Sequence, residues 1–330
     1  MKDFNYIRAS DIGMALAEVG QPATRFLAGG TTQIDLMKCN VERPDRLVDI
    51  SHLTGLDGIE VTDTVIRIGA LAKMSAVADH PDVIAAAPVL SESLWKAASA
   101  QLRNMATIGG NVMQRTRCSY FRDPAAYTAC NKRVPGSGCA AIGGINRNLA
   151  VLGVSDSCIA TYPGDFAVAL VAFDAQIVLQ GDTERRMSVD DFFLLPGSTP
   201  DREHPLEPGE MIVAIEIPRS EALARSQYLK VRDRVSYEFA AASAAVGLEL
   251  DADGVTIRDV RIALGGVATK PWRATAVEET LRGRPLDEET LRTAASLAVE
   301  GAQPGGQNDF KITLAPRVIA RALMSIGEIA

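Results

Sequence analysis

No apolar run in this chain approaches the roughly 20 residues that cross a bilayer, and its amino terminus, MKDFNYIRAS, carries no apolar segment of the secretory kind. Membrane insertion is therefore not expected, and nothing in the sequence exports or anchors the chain by itself. Positive charge is also short. Against 41 Asp and Glu stand 34 Lys and Arg, for a net charge of −7 and a sequence pI of about 5.2. A face that tracks nucleic-acid phosphates would need a local basic patch on that acidic background, so no nucleic acid is expected among the partners. Histidine is scarce, with only His52, His80 and His204, scattered through turn-like contexts. No pairing of nucleophile, acid and base is visible, so no catalytic side chain of that kind is expected. A fixed internal repeat is missing as well.

Cysteine is sparse but unevenly spread. Cys39 stands alone and reads as a buried or free thiol, while Cys118, Cys130, Cys139 and Cys158 are separated by 11, 8 and 18 residues. Such clustering points to a shared role, and two disulfides, a zinc site and an iron–sulfur cluster all use four cysteines. The missing C-x-x-C knuckle disfavours zinc without excluding it. Lys132 and Arg133 beside Cys130, and the amides of PGSG before Cys139, would offset thiolate charge. The basic pair equally suits a solvated loop.

What is present is enough for a large fold. At 330 residues, 47% of them hydrophobic and 23% charged, the chain can bury one large core or two to three smaller ones. DIGMALAE reads as a short helix, TRFLAGG as a strand entering a glycine turn, and DRLVDIS as a second strand. GIEVTDTVIRIGALAKM reads as a hairpin, and AVADHPDVIAAAPVLSESLWKAAS as two helices broken near Pro88. From Cys118 to about Pro163 the pattern dissolves into loop chemistry, and DFAVALVAFDAQIVLQGD then resumes as a helix leading into a strand. The cysteine segment therefore looks inserted. GEMIVAIEIP is a strand ending at Pro218, and a domain boundary falls near residues 219–226. Strand alternation follows it, then helices in RATAVEETLRG, DEETLRTAASLAVEGA and APRVIARALMSIGEIA.

Two glycine pairs carry the functional signal. They lie in RFLAGGTTQIDLMK, residues 25–38, and QLRNMATIGGNVMQ, residues 101–114. Removing Cβ lets backbone N–H groups approach phosphate oxygens, and threonine hydroxyls add uncharged donors, so two such turns facing one ligand suit a pyrophosphate. Either pair alone also suits an ordinary tight turn, and neither is the G-x-G-x-x-G of a Rossmann unit.

Together, FLAGGTTQIDLMK and QLRNMATIGGNVMQ resemble the FAD-binding medium subunit of the xanthine dehydrogenase and molybdenum hydroxylase family. The resemblance covers nearly the whole chain, because GEMIVAIEIP and RIALGGVATKPWRA are similar to that family's later strand and carboxy-terminal domain. It implies a mixed α+β and α/β architecture of the vanillyl-alcohol-oxidase (PCMH) type. FAD-binding subdomains would occupy residues 1–55 and 56–222, the second interrupted by an insertion at 112–164, and a CO-dehydrogenase-flavoprotein-like α/β domain residues 223–330. It further implies that FAD lies on Leu27, Ala28, Gly29, Gly30, Thr31, Thr32, Gln33 and Ile34, and on Thr107, Gly109, Gly110 and Asn111. Asp165, Ile212 and Lys230 match the family's other flavin contacts. Read as residues alone, Asp165 also suits a helix cap, Ile212 strand core and Lys230 a surface position, though the flavin-contact reading is the one favoured.

The insertion resembles that of the flavoprotein subunits of bacterial periplasmic aldehyde oxidoreductases within the family, which implies a 4Fe-4S cluster on Cys118, Cys130, Cys139 and Cys158. The expected function is that of an FAD-binding electron-transfer subunit in a heterotrimer. A large subunit with a molybdenum–pterin cofactor would oxidise an aldehyde, a small subunit with 2Fe-2S clusters would relay electrons, and this chain would pass them to an external acceptor. Residence in the periplasm by co-export with a signal-bearing partner is expected, with the cytoplasm as the alternative. Competing readings are a self-contained FAD oxidase of the same fold and a zinc-stapled, non-enzymatic assembly module.

Overall fold

A computed structural model describes residues 1–329 of the chain and builds them on three sheets. In the first sheet, strands β1 (Asn5–Arg8), β2 (Thr24–Leu27) and β3 (Arg46–Asp49) run parallel in the order β1-β3-β2. Between β2 and β3 the chain makes the first glycine turn and the helix Gln33–Lys38. The second sheet is antiparallel, with β4 (Ile59–Val61), β5 (Val65–Gly69), β6 (Gln176–Gln180), β7 (Glu184–Ser188) and β8 (Met211–Pro218) in the order β4-β5-β8-β6-β7. Strand β8, MIVAIEIP, sits at its centre and is buried along almost its whole length. That position explains an unbroken apolar run where an exposed strand would alternate.

The third sheet, also antiparallel, orders β9 (Ser226–Val231), β10 (Ala242–Leu250), β11 (Ile257–Gly265) and β12 (Trp272–Arg273) as β12-β11-β10-β9. The long carboxy-terminal helix Phe310–Gly327 packs on β10. This unit shares a core with the second sheet: Tyr228, Ala245 and Ala263 pack with the fully buried helix Phe166–Ala172. A Cβ on Gly247 would lie 2.3 Å from the Ala222 carbonyl, so the seam closes only around a glycine.

One stretch departs from the sequence pattern. The segment read as two helices forms three, Met74–Ala78, Pro81–Ala86 and Pro88–Trp95. Pro81 and Pro88 each open a new helix, because proline has no N–H to continue the preceding one and pushes the residue before it out of the helical region. His80 and Ala87 accordingly take ψ of 120° and 69°. The cysteine segment stays largely irregular, with the single turn Ser119–Arg122 and isolated bridges pairing Cys130 with Cys139 and Ser155 with Cys158.

Candidate functional site

The two glycine turns open on a cleft of about 560 Å³ between the first and second sheets. Ala28, Gly29, Gly30, Thr31, Thr32 and Gln33 line it from one side, Thr107, Gly109 and Gly110 from the other, and Ile212 on β8 closes it. Leu27 and Ile34 lie behind the turn, where their side chains face the missing Cβ of Gly30 at 3.5 and 3.4 Å. Asn111 is buried in the short helix Ile108–Val112, one residue past the lining.

The glycines serve different ends. A Cβ on Gly29 would stand 2.1 Å from the Met105 carbonyl oxygen, so what approaches that backbone is the segment carrying the second glycine pair. Gly30 holds φ at +73°, a conformation costly for any residue with a side chain. Gly109 donates to the Ala70 carbonyl at 2.8 Å, and a Cβ there would press on Ala70 at 3.1 Å. Gly110 is exposed, and a Cβ there would meet only Thr107 Oγ1, at 3.0 Å. Among the described residues, the amides of Gly30, Thr31, Thr32 and Gln33 find no acceptor within the chain. Gln33 Nε2 and Asn111 Oδ1 are buried without partners. Buried polar groups normally find partners, so the buried Gln33 donor, with the unused turn amides beside it, fits a phosphate-bearing group with an extended body.

A second cavity lies beside the first. Cys118, Cys130, Cys139 and Cys158 all line it, and its remaining wall is mostly apolar, with Tyr120, Phe121, Ala129, Ala140, Ala141 and Ala160. None of the four is in a disulfide. Burial above all pushes the Cys118 thiol up to about 11, and the nearby Cys158 and Cys130 add to the shift. Cys158 is raised by burial too, with Lys132 opposing. Among the described residues no three His, Cys, Asp or Glu side chains converge closely enough for one metal ion. A single tetrahedral zinc, with thiolates 2.3 Å away, would draw them to about 3.8 Å from each other. Four cysteines are also the donor set of an iron–sulfur cluster.

Asp165 and Lys230 do not reach the cleft wall. They pair with each other at 2.8 Å across the seam between the second and third sheets, with side chains 6% and 1% exposed. Tyr228 donates to Asp165 Oδ1 at 2.7 Å, and Lys230 also donates to the Lys96 carbonyl at 2.9 Å. Asp165 precedes the helix Phe166–Ala172 without capping it through its side chain. The cleft also gains Arg115, Glu203 and His204, which the sequence did not single out. Burial holds the His204 imidazole down at about 4, so it is neutral near pH 7. No sequence signal marks these residues, because the loop that carries Glu203 and His204 meets the glycine turns only in the folded chain.

The family described as the FAD binding domain in molybdopterin dehydrogenase matches residues 2–220, and the CO dehydrogenase flavoprotein C-terminal domain matches residues 227–326. The chain is 45% identical to the aldehyde oxidoreductase FAD-binding subunit PaoB of Escherichia coli, over 98% of each chain. It is 28% identical to the glyceraldehyde dehydrogenase medium chain of Sulfolobus acidocaldarius, over 89% of this chain and 86% of that one. A solved carbon monoxide dehydrogenase from Hydrogenophaga pseudoflava superposes with a TM-score of 0.76 at 26% identity, covering 99% of this chain and 98% of the other.

Proposed function

Because the chain belongs to the FAD-binding medium subunits of the molybdenum hydroxylase family, which are oxidoreductase subunits, we propose that it is the electron-transfer subunit of a heterotrimeric, molybdenum-dependent aldehyde oxidoreductase. It takes electrons from 2Fe-2S clusters in a small subunit, served by a molybdenum–pterin large subunit, and passes them to an external acceptor. The observation that carries this reading is the cleft itself, where two glycine turns distant in sequence present unused amide donors to one elongated space. Similarity to an aldehyde oxidoreductase subunit along the whole chain supports the substrate class.

FAD supplies exchange between one-electron and two-electron carriers. The chain's own part is to hold it: the amides of Gly30, Thr31, Thr32 and Gln33, with the hydroxyls of Thr31 and Thr32, suit its pyrophosphate, and Ile212 gives an apolar wall. We assign the 4Fe-4S cluster to Cys118, Cys130, Cys139 and Cys158, supported by their common cavity and its apolar wall. The complex acts in the periplasm, carried there with a signal-bearing partner; the insertion's resemblance supports this. The self-contained oxidase loses ground because residues 227–326 match a CO-dehydrogenase-type domain rather than a substrate cap.

Anaerobic mixing of the purified three-subunit complex with an aldehyde tests the reading. Flavin absorbance should bleach within turnover, and return when acceptor is added. A flavin that stays oxidised while the molybdenum and 2Fe-2S centres are reduced would contradict it.

A further inference from the structure

A half-buried ionic chain connects the thiol cavity to the cleft. Lys132, two residues past Cys130, lines the cavity and donates from Nζ to Glu203 Oε1 at 2.8 Å and to the Pro200 carbonyl at 3.0 Å. Glu203 lies in the cleft wall, where it also accepts from Arg115 Nε. Arg115 spans the same gap: its guanidinium sits 4.6 Å from the Phe121 ring, part of the cavity wall, and its Nη1 donates to Glu42 Oε1 of the cleft at 2.7 Å. The lysine and glutamate side chains are only 10% and 20% exposed. Burial pushes the Glu203 carboxyl up, yet Lys132 and Arg115 together hold it below the usual carboxylate range, so it stays charged.

On the other face, Arg117 and Arg122, which flank Cys118, both grip Asp35 on the helix that follows the first glycine turn. Leu36 of that helix packs in the same cluster as Cys118, Cys130 and Cys158. The thiol segment thus backs the cleft wall.

We propose that Lys132, through its ion pair with Glu203, is a positioning residue that couples what fills the thiol cavity to how tightly the cleft holds FAD. On the assignment of an iron–sulfur cluster above, the cluster then serves flavin retention and is not only a staple of its own loop. With the cavity filled, the segment bearing Lys132 is fixed and Glu203 is drawn away from the flavin's anionic phosphates. With it unfilled, Lys132 is released and Glu203 is left with Arg115 alone.

The test is FAD affinity, read by flavin fluorescence titration of the flavin-depleted chain with and without its iron. Wild type should bind FAD about tenfold more tightly when iron is present, within the range usual for coupled sites. Lys132→Met should bring that ratio close to one while still taking up iron, and Lys132→Arg should restore most of it. Equal affinities in wild type, or a tenfold ratio that survives in Lys132→Met, would overturn the coupling while leaving the cluster assignment intact. A wild-type chain that takes up no iron under anaerobic reconstitution would instead defeat the assignment, and the coupling with it.

Discussion

Gly29 and Gly110 look alike in sequence, yet the structure gives substitutions at the two opposite consequences. A Cβ at Gly29 would meet the Met105 carbonyl oxygen at 2.1 Å and its carbon at 2.8 Å. Both are backbone atoms, so relief requires the glycine turn and the end of the helix Ala100–Met105 to separate. Overpacking of this kind costs about 3 kcal/mol, and Gly29→Ala should lower Tm by roughly 5 °C or more. At Gly110 a Cβ would meet Thr107 Oγ1 at 3.0 Å and, outside its own helix backbone, no other described atom within 4 Å; the residue is exposed on the cleft, and its φ is not in the left-handed region. The apoprotein of Gly110→Val should therefore keep its Tm within a few degrees. Its branched side chain, however, occupies the approach to the second turn, and losing one or two charge-assisted contacts at about 1.5–3 kcal/mol each weakens FAD binding about 100-fold. Differential scanning fluorimetry of both flavin-depleted variants, followed by flavin titration, separates the effects. Full flavin affinity in Gly110→Val would refute the placement of the cofactor, and an unchanged Tm in Gly29→Ala would refute the packing reasoning.

Lys230→Met leaves Asp165 buried and unpaired and should cost about 3–5 kcal/mol in denaturant unfolding, whereas adding Asp165→Asn should recover a large part; a double variant no more stable than the single one would count against that account. Lys311 is buried with a single acceptor, the Gly266 carbonyl at 2.6 Å, and burial lowers it to about 8. Between that value and its ordinary 10.5 the unfolded chain binds more protons than the native one, so this group makes stability rise with pH across the window, by about 3 kcal/mol in all. Lys311→Met should lack that rise when thermal unfolding is compared from pH 7.5 to 10, and a parallel pair of curves would contradict it. Cys139→Ser should lose its iron and expose residues 118–158 to limited proteolysis while the rest of the chain resists; iron content equal to wild type would argue against this ligand. Cell fractionation should find the complete complex in the periplasm and the lone chain in the cytoplasm, and the lone chain in the periplasm would refute carriage by a partner.

Local chemistry made much of this protein readable before folding. The strand-to-glycine steps at TRFLAGG, the hairpin at residues 59–69 and the central strand at GEMIVAIEIP all follow from short-range periodicity. The four cysteines were visible as a group because the chain holds only one other. What escaped depends on contacts between distant segments. Gly29 reads as a ligand-binding glycine, but its missing side chain makes room for Met105, 76 positions later in the chain. Asp165 and Lys230 read as flavin contacts, with a helix cap and a surface position as the alternatives, yet they pair with each other in a seam that only the docked third sheet creates. Glu203 and Arg115, 88 positions apart, carry no motif. Their pairing needs the loop before β8 to fold back over the glycine turns.

The visible absorption spectrum of the chain, purified without oxygen, bears most directly on the claim that it holds both a flavin and an iron–sulfur cluster. Flavin bands should ride on a broad iron–sulfur absorption, with the broad component lost in Cys139→Ser and the flavin bands lost in Gly110→Val. A colourless chain would contradict the flavin cleft, and flavin bands without the broad component would contradict the cluster on Cys118, Cys130, Cys139 and Cys158.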